Sequence, residues 1–126
     1  MKFLIIDDSI TMRRIVMNSL ARVGYLNFIE ASNGADALAK FDKTIDFIIC
    51  DRHMPSMSAL EFAARLRARE DGRRVPLLMI TSRASAEDIA LATAAGISGY
   101  ILKPFQPSTF KDRVEQLTSR SRGTAA

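Results

Sequence analysis

Five short apolar runs of strand length alternate with segments in which apolar side chains recur at helical spacing. The runs lie at residues 3–6, 28–31, 47–50, 77–80 and 99–102. Continuous apolar runs of this length are typical of strands that are buried on both faces of a parallel sheet, and the helical segments between them supply the crossovers. The pattern predicts an α/β fold of five strand-helix units, (βα)5.

Capping residues predict where several of the helices begin and end. Ser9, Asn33 and Ser58 each stand before a segment of helical period and can accept a hydrogen bond from its first turn. The apolar stripe predicted for the first helix consists of Met12, Ile15, Val16, Leu20 and Val23. Gly24 follows this stripe and can end the first helix, so the second strand should begin soon after it.

The fourth helical segment, from about residue 85 to 95, offers less to a core than the others do. Beyond Ile89 and Leu91 its apolar positions hold small alanines. Because buried apolar area is the main source of packing energy, we expect this helix to be the most weakly packed and the most easily moved.

Length and composition favour one domain with its own core. The chain has 126 residues, and we assign residues 1–119 to the domain and residues 120–126, rich in Ser, Arg, Gly and Ala, to a flexible tail. Its single cysteine, Cys50, lies within a predicted strand and should pack there as a small apolar side chain. With no leader-like or membrane-length apolar stretch in the sequence, we expect a cytoplasmic protein without membrane insertion.

The net charge of +4 is concentrated in arginines near residues 13–22 and 65–74. Such clusters could attract a nucleic acid, a cyclic dinucleotide or an acidic protein surface. We favour the simpler interpretation of solvated helix faces, because no aromatic side chains stand among the arginines to stack on bases.

Polar residues capable of chemistry follow the ends of four predicted strands. Asp7 and Asp8 follow the first, Asp51 the third, Thr81 the fourth and Lys103 the fifth. In an open parallel sheet these carboxyl ends meet at one edge, where ligands bind. Carboxylates converging there repel each other, and a hard divalent cation with oxygen ligands offsets that repulsion. The spacing therefore predicts one shared cation site.

The motifs at these positions resemble those of the receiver domains of two-component response regulators, and among them the stand-alone receivers of chemotaxis. The segments are FLIIDDS followed by TMRRIV, then CDRHMP, MITS and GYILKPF, and the resemblance covers about residues 2–117. It implies a flavodoxin-like doubly wound fold with a five-stranded parallel sheet in the order 2-1-3-4-5. A cis Lys103-Pro104 peptide bond is implied as well.

The resemblance also implies a metal-dependent phosphoryl transfer. Asp51 would accept a phosphoryl group from a histidine of a partner kinase or phosphotransfer protein. Asp7, Asp8, Asp51 and the backbone carbonyl of His53 would hold Mg²⁺, an ion that prefers such oxygen ligands. Lys103 would contact the phosphoryl group.

The message would then pass to a second protein through a docking surface. On phosphorylation Thr81 would donate its hydroxyl to a phosphoryl oxygen, and Tyr100 would turn inward beside the fourth helix. The resemblance places the surface on the fourth helix, fifth strand and fifth helix, with Ile89, Tyr100 and Arg113 as contacts for a downstream protein target.

A turnover enzyme is disfavoured by the residue at position 53. Phosphohydrolases that form an aspartyl phosphate use a second acid two residues after the nucleophile, and this chain has His53 there. We expect slow self-hydrolysis of the acyl phosphate instead, because water reaches an open site. We interpret Arg83, two residues past Thr81, together with His53 as side chains that shield the acyl phosphate and change its lifetime.

The chain departs from the receiver pattern at Ser58-Ala59, where the family usually has Asp or Asn followed by Gly. A left-handed backbone at Ala59 would cost about 1 kcal/mol, so we expect this loop to take another path and Mg²⁺ affinity to change. Two other functions stay open on these grounds. One is an unphosphorylated pseudo-receiver or adaptor, and the other is a basic module that binds a cyclic dinucleotide or nucleic acid.

Overall fold

One parallel sheet with helices on both faces forms the body of the protein. The computed structural model describes residues 1–125, with side chains described through residue 119. The strands are β1 (Lys2–Ile6), β2 (Asn27–Ala31), β3 (Phe47–Asp51), β4 (Leu77–Thr81) and β5 (Gly99–Leu102). The helices are α1 (Ile10–Arg22), α2 (Gly34–Lys40), α3 (Ala59–Ala68), α4 (Ala86–Ala95) and α5 (Pro107–Ala125), and a 3-10 turn (Glu70–Gly72) follows α3. The strand order β2-β1-β3-β4-β5 confirms the predicted (βα)5 flavodoxin-like fold.

The predicted helix caps are present in the structure. Ser9, Asn33 and Ser58 each accept a hydrogen bond from the backbone N–H three residues further on, at 3.2, 2.7 and 3.2 Å. Gly24 takes a φ of 101° immediately after the C-cap of α1, a conformation that a residue with a β-carbon adopts only at a cost. The local sequence therefore sets these helix boundaries.

Helix α5 runs past the predicted end of the domain at residue 119. It continues as helix to Ala125, and the last residue of the predicted tail, Ala126, lies outside the described residues. The flexibility of the tail stays a prediction.

Alternate residues of each strand face two separate apolar cores. On one face α1 and α5 cover the sheet, with Val16, Leu20, Phe110 and Val114 packed on Phe47 and its neighbours. On the other face lie α2, α3 and α4, and Cys50 packs in this core as predicted, fully buried. None of the described helices has both the length and the hydropathy needed to cross a bilayer.

Two apolar side chains assigned to the core are exposed. Ile15 of α1 is 42% exposed, while Ser19 and Leu20 are buried, so the stripe is narrower than predicted. Leu91 of α4 is 52% exposed and Ala92 is the buried residue of that helix. The prediction that Leu91 contributes to the core was therefore wrong. Helix α4 buries even less apolar surface than the sequence suggested.

Candidate functional site

The register of the central strands brings the acids together. Ile6 of β1 pairs with Cys50 of β3, so the next residues, Asp7 and Asp51, lie side by side at the carboxyl end of these strands. The adjacent strand β4 ends at Thr81, which is paired with Leu102 at the end of β5. Because all strands run parallel, the polar residues that follow them meet at one edge, as predicted.

The three carboxylates lie close enough to share one ion. One oxygen atom from each of Asp7, Asp8 and Asp51 lies within 4.8 Å of the others. Asp7 and Asp51 are buried, with 4% and 8% exposure, whereas Asp8 is exposed. Such an all-oxygen set, open to water on one side, suits a hard cation that keeps some of its water ligands.

The raised pKa of Asp7 shows that the protein's own positive groups offset little of the negative charge of this cluster. The pKa of Asp7 is raised to about 6, chiefly by burial and also by the nearby Asp51 and Asp8 carboxylates, while a hydrogen bond from the Ser9 backbone opposes the increase. A carboxyl group that holds its proton so firmly gains from a bound cation. The donor set and its charge therefore fit Mg²⁺.

Lys103 places a positive side-chain charge beside the acidic cluster. Its Nζ donates to Oδ1 of Asp51 at 2.9 Å, and the backbone N–H of Lys103 is held by the carbonyl of Thr81 at the same distance. The Lys103-Pro104 peptide bond is cis, as the resemblance implied. Lys103 is thus directed at the carboxylate of Asp51.

Arg13 is a residue of this site that sequence reasoning missed. Its Nη1 donates to the backbone oxygen of Asp7 at 2.6 Å, and its Nε pairs with Glu30 at 2.9 Å. The guanidinium thereby fixes the loop that carries Asp7 and Asp8. The sequence carries no signal for these contacts, because Arg13 lies on α1 and Glu30 on β2, and only the fold brings them together.

Thr81 reaches the same edge, but its hydroxyl is already in use. Its Oγ1 donates to the carbonyl of Arg83 at 3.0 Å and accepts from the N–H of Arg83 at 3.2 Å. The residue is buried, with 2% exposure. Thr81 therefore holds the start of the loop between β4 and α4, and donating to another acceptor would release that loop.

The two residues proposed to control acyl phosphate lifetime lie on the surface. His53 and Arg83 are both exposed, and neither side chain makes a hydrogen bond or ion pair with the part of the chain whose side chains are described. Their role in acyl phosphate lifetime stays a prediction.

Ala59 does not carry a left-handed backbone, so the loop before α3 takes a path that avoids this cost, as expected. Ala59 is the first residue of α3, is 1% exposed, and packs in the core while Ser58 caps the helix. In the loop before α3, Ser56 has a positive φ, of 68°. The positive φ of this loop thus lies three residues before Ala59, and the change in Mg²⁺ affinity stays a prediction.

The predicted output residues surround one cavity at the β5 edge of the sheet, between α4 and α5. Ile89 of α4, Tyr100 of β5 and Arg113 of α5 line a space of about 180 Å³. The guanidinium carbon of Arg113 lies 5.9 Å from the centre of the Tyr100 ring, within range of a cation-π interaction. Tyr100 is half-buried, so it has both a wall to pack on and space beside it.

Arg52, directly after Asp51, makes a contact that the sequence did not reveal. Its Nη2 pairs with Oδ1 of Asp88 in α4 at 3.2 Å, and its Nη1 is buried without a partner among the described side chains. The two residues lie 36 positions apart, so only the fold brings them together.

Two of the five arginines in residues 65–74, Arg67 and Arg69, bind backbone groups within the fold. Arg67 donates to the backbone oxygens of Gly96 and Gly72, and Arg69 donates to two backbone oxygens of the α2 region and to Asp71. The interpretation as a solvated face is therefore wrong for these two arginines. They hold elements together and are not free to grip a polyanion.

Comparison with known proteins identifies the class. A sequence model described as the response regulator receiver domain matches residues 3–115, nearly the whole chain. The chain belongs to the response regulator receiver domain family, which confirms the resemblance seen in the motifs.

The most similar relatives include chemotaxis proteins. CheY-3 of Vibrio cholerae is 42% identical over 121 residues, covering 95% of this chain and 93% of that protein. The solved structure of CheY4 from the same species superimposes with a TM-score of 0.85 at 36% identity, over 92% of this chain and 97% of that one. The protein is thus a receiver domain similar to the CheY chemotaxis proteins.

A more distant structure shares the fold. The receiver domain of a sensor histidine kinase from Pseudomonas aeruginosa matches with a TM-score of 0.81 at 23% identity, over 94% of this chain and 97% of that one. That structure is described with a magnesium ion coordinated in its active-site cleft.

Proposed function

We propose that the protein is a phosphorylation-switched signalling domain that accepts a phosphoryl group on Asp51 and passes the signal by docking to another protein. The observation that carries this proposal is the cluster of Asp7, Asp8 and Asp51 with Lys103 bonded to Asp51 on one side. A carboxylate beside other acids and a lysine is suited to receive a phosphoryl group once a cation offsets the repulsion.

Asp7, Asp8, Asp51 and the backbone carbonyl of His53 would hold Mg²⁺, as a fold relative holds magnesium in its cleft. The ion, when bound, offsets the negative charge that gathers on the transferred group. Each of the protein ligands is an oxygen atom, which is the donor that Mg²⁺ prefers.

The transfer itself joins a carboxylate oxygen of Asp51 to phosphorus and breaks the bond from phosphorus to nitrogen on the donor histidine. The electron pair of that bond returns to the imidazole of the kinase or phosphotransfer protein. Lys103, now bonded to Asp51 at 2.9 Å, is placed to bind an oxygen of the phosphoryl group and so stabilises its charge.

The acyl phosphate is then lost slowly to water, since Asp8 is exposed and no second acid follows Asp51 at position 53. Arg83 and His53 shield the acyl phosphate from water. An Arg83→Ala protein should lose its phosphoryl group several-fold faster than wild type, measured as the decay of the phosphorylated mass, and an unchanged decay rate would remove this role for Arg83.

Signal output follows from the surface of α4, β5 and α5. Thr81 gives up its bond to Arg83 to reach the phosphoryl group, the loop before α4 moves, and Tyr100 turns into the neighbouring cavity of about 180 Å³. Ile89, Tyr100 and Arg113 then present a changed surface to a downstream protein. A coupling of about 1 to 3 kcal/mol would alter that protein's affinity by roughly 5- to 150-fold.

Incubation with acetyl phosphate and Mg²⁺, followed by intact mass measurement, tests the proposal. Wild type should gain one phosphoryl group, the gain should need Mg²⁺, and Asp51→Asn should gain none. Asp112→Asn, which removes an exposed carboxylate of α5, is the matched control and should behave as wild type. An unmodified wild-type protein would support the pseudo-receiver function instead.

A further inference from the structure

Helix α4 is held mainly at its two ends, by hydrogen bonds and an ion pair from arginines of neighbouring elements. Of its ten residues only Ala92 is buried, and the cavity lined by Ile89 and Tyr100 lies beside it. A helix with so little buried apolar surface depends on polar contacts for its position.

The contact at the N-terminal end is an ion pair next to the phosphoacceptor. Arg52 donates from Nη2 to Oδ1 of Asp88, and the two side chains are 20% and 18% exposed. The other oxygen of Asp88, Oδ2, accepts from the backbone N–H and the hydroxyl of Ser85, completing the cap of α4. One carboxylate thus joins the helix start to the residue after Asp51.

The contact at the C-terminal end has a different character. Arg67 of α3 donates from Nε to the backbone oxygen of Gly96 at 3.0 Å and from Nη1 to that of Gly72 at 2.9 Å. Gly96 has a φ of 101°, and a β-carbon there would come within 2.6 Å of Cγ of Arg67. These close contacts with backbone atoms tie the end of α4 to α3 without any charged partner.

The loop that leads into α4 connects the N-terminal contact to Thr81. The Thr81 hydroxyl holds both backbone groups of Arg83, and Ser85 and Asp88 follow on the same short stretch of chain. When Thr81 donates to a phosphoryl group, the loop loses the bond from the hydroxyl to the Arg83 carbonyl, and the next restraint on the helix start is the pair with Arg52.

We propose that the Arg52–Asp88 pair is a latch that holds the start of α4 in the unphosphorylated protein and opens on phosphorylation, while Arg67 keeps the end of α4 in place as a pivot. The inference rests on the proposed function of Asp51. A contact present in one of two arrangements stabilises that arrangement, so its removal favours the other. Breaking the latch should therefore make the phosphorylated arrangement easier to reach.

Titration of the full chain with beryllofluoride in saturating Mg²⁺, followed by calorimetry, tests the latch. Asp88→Asn removes the charge of the pair but keeps a side-chain oxygen for the cap with Ser85. It should bind beryllofluoride about 2- to 5-fold more tightly than wild type, the range expected for a partly exposed pair. Arg52→Met should show a similar gain, and Arg52→Lys, which keeps the positive charge, should restore wild-type affinity.

Glu61→Gln provides the matched control, because it removes an exposed pair with Arg65 on α3 at 3.5 Å and should leave the affinity unchanged. Amide hydrogen exchange without beryllofluoride adds a second readout. In Asp88→Asn, exchange should quicken at residues 89–92 and stay unchanged at Ser98, whose N–H is bonded to the carbonyl of Leu77 in β4.

The outcomes separate the two proposals. Wild-type protein that fails to bind beryllofluoride would overturn the proposed function and the latch together. Wild-type binding with equal or weaker binding by Asp88→Asn would overturn the latch alone, as would faster exchange spread evenly along α4.

Discussion

Helices α3 and α4 are both ten residues long and pack next to each other on the same face of the sheet, yet they are held in opposite ways. Helix α3 buries Ala59, Phe62, Ala63 and Leu66, whereas α4 buries Ala92 alone. The strands differ in the same direction, since all five residues of β3 are buried and one of the four in β5 is. The acidic cluster lies at the end of the firmly packed central strands, and the proposed output surface lies on the loosely packed α4 and β5.

This division separates two physical requirements. Phosphoryl transfer needs oxygen atoms held in fixed positions, which a buried central strand provides. A switch needs an element whose alternative positions differ little in free energy, and a helix with little buried surface provides that. Thr81 connects the two parts because its backbone belongs to β4 and its hydroxyl holds the loop before α4.

The largest test of the comparison is a pair of leucine truncations. Leu66→Ala in α3 removes a fully buried side chain and should lower the free energy of unfolding by about 2 to 5 kcal/mol. Leu91→Ala in α4 removes one that is 52% exposed and should change it by no more than about 0.5 kcal/mol. Urea unfolding of both variants measures the difference, and equal losses would break the comparison.

The second test addresses the fixed part of the site. Lys103→Met removes the cation bonded to Asp51 and should slow modification by acetyl phosphate by roughly 10²-fold, since a charge aimed at the developing phosphoryl charge is lost. The time course of intact mass gives the rate. Lys111→Met, at an exposed position of α5, should leave the rate unchanged, and a similar rate in both variants would remove Lys103 from the site.

The third test uses the raised pKa of Asp7. Because this pKa is about 6, protons compete with Mg²⁺ below that pH, and Mg²⁺ affinity should fall about tenfold between pH 7 and pH 5. In metal-free protein the raised pKa means that the contribution of Asp7 to stability is greatest at low pH and is lost as pH rises through 6. The metal-free melting temperature should therefore rise from pH 7 to pH 5.

Asp7→Asn is the control for this pH dependence. In Asp7→Asn the melting temperature should change little between pH 7 and pH 5. The pKa values of four other acids are lowered from 3.8, so these acids titrate below this pH range: Asp36, Asp42, Asp71 and Asp88. An equally steep profile in Asp7→Asn would assign the effect to another group.

The smallest expected effect concerns backbone strain beside the acids. Ser56 has a φ of 68°, where a β-carbon is unfavourable, and its side chain is exposed. Ser56→Gly should raise the free energy of unfolding by up to about 1 kcal/mol, and Ala59→Gly should lower it by a similar amount because Ala59 begins a helix in the core. Urea midpoints that move in the reverse directions would contradict this placement of the strain.

Much of this division could be predicted from the sequence, for identifiable reasons. Continuous apolar runs identify β1, β3 and β4, the three buried strands, and acids at the ends of parallel neighbours must meet. The sequence also shows that α4 has few large apolar residues. The exposure of Ile15 and Leu91 was not, because helical spacing defines a stripe without fixing how much of it the sheet covers. The pair between Arg52 and Asp88 depends on tertiary contact across 36 residues, and no local pattern encodes it.

Amide hydrogen exchange of the wild-type protein with and without beryllofluoride tests the central claim most directly. The account predicts that residues 89–92 of α4 change their exchange rate at least about 5-fold while the amides of β3 keep theirs. An equal change in both regions, or no change in α4 despite bound beryllofluoride, would contradict the claim that a firmly held acid site drives a loosely held helix.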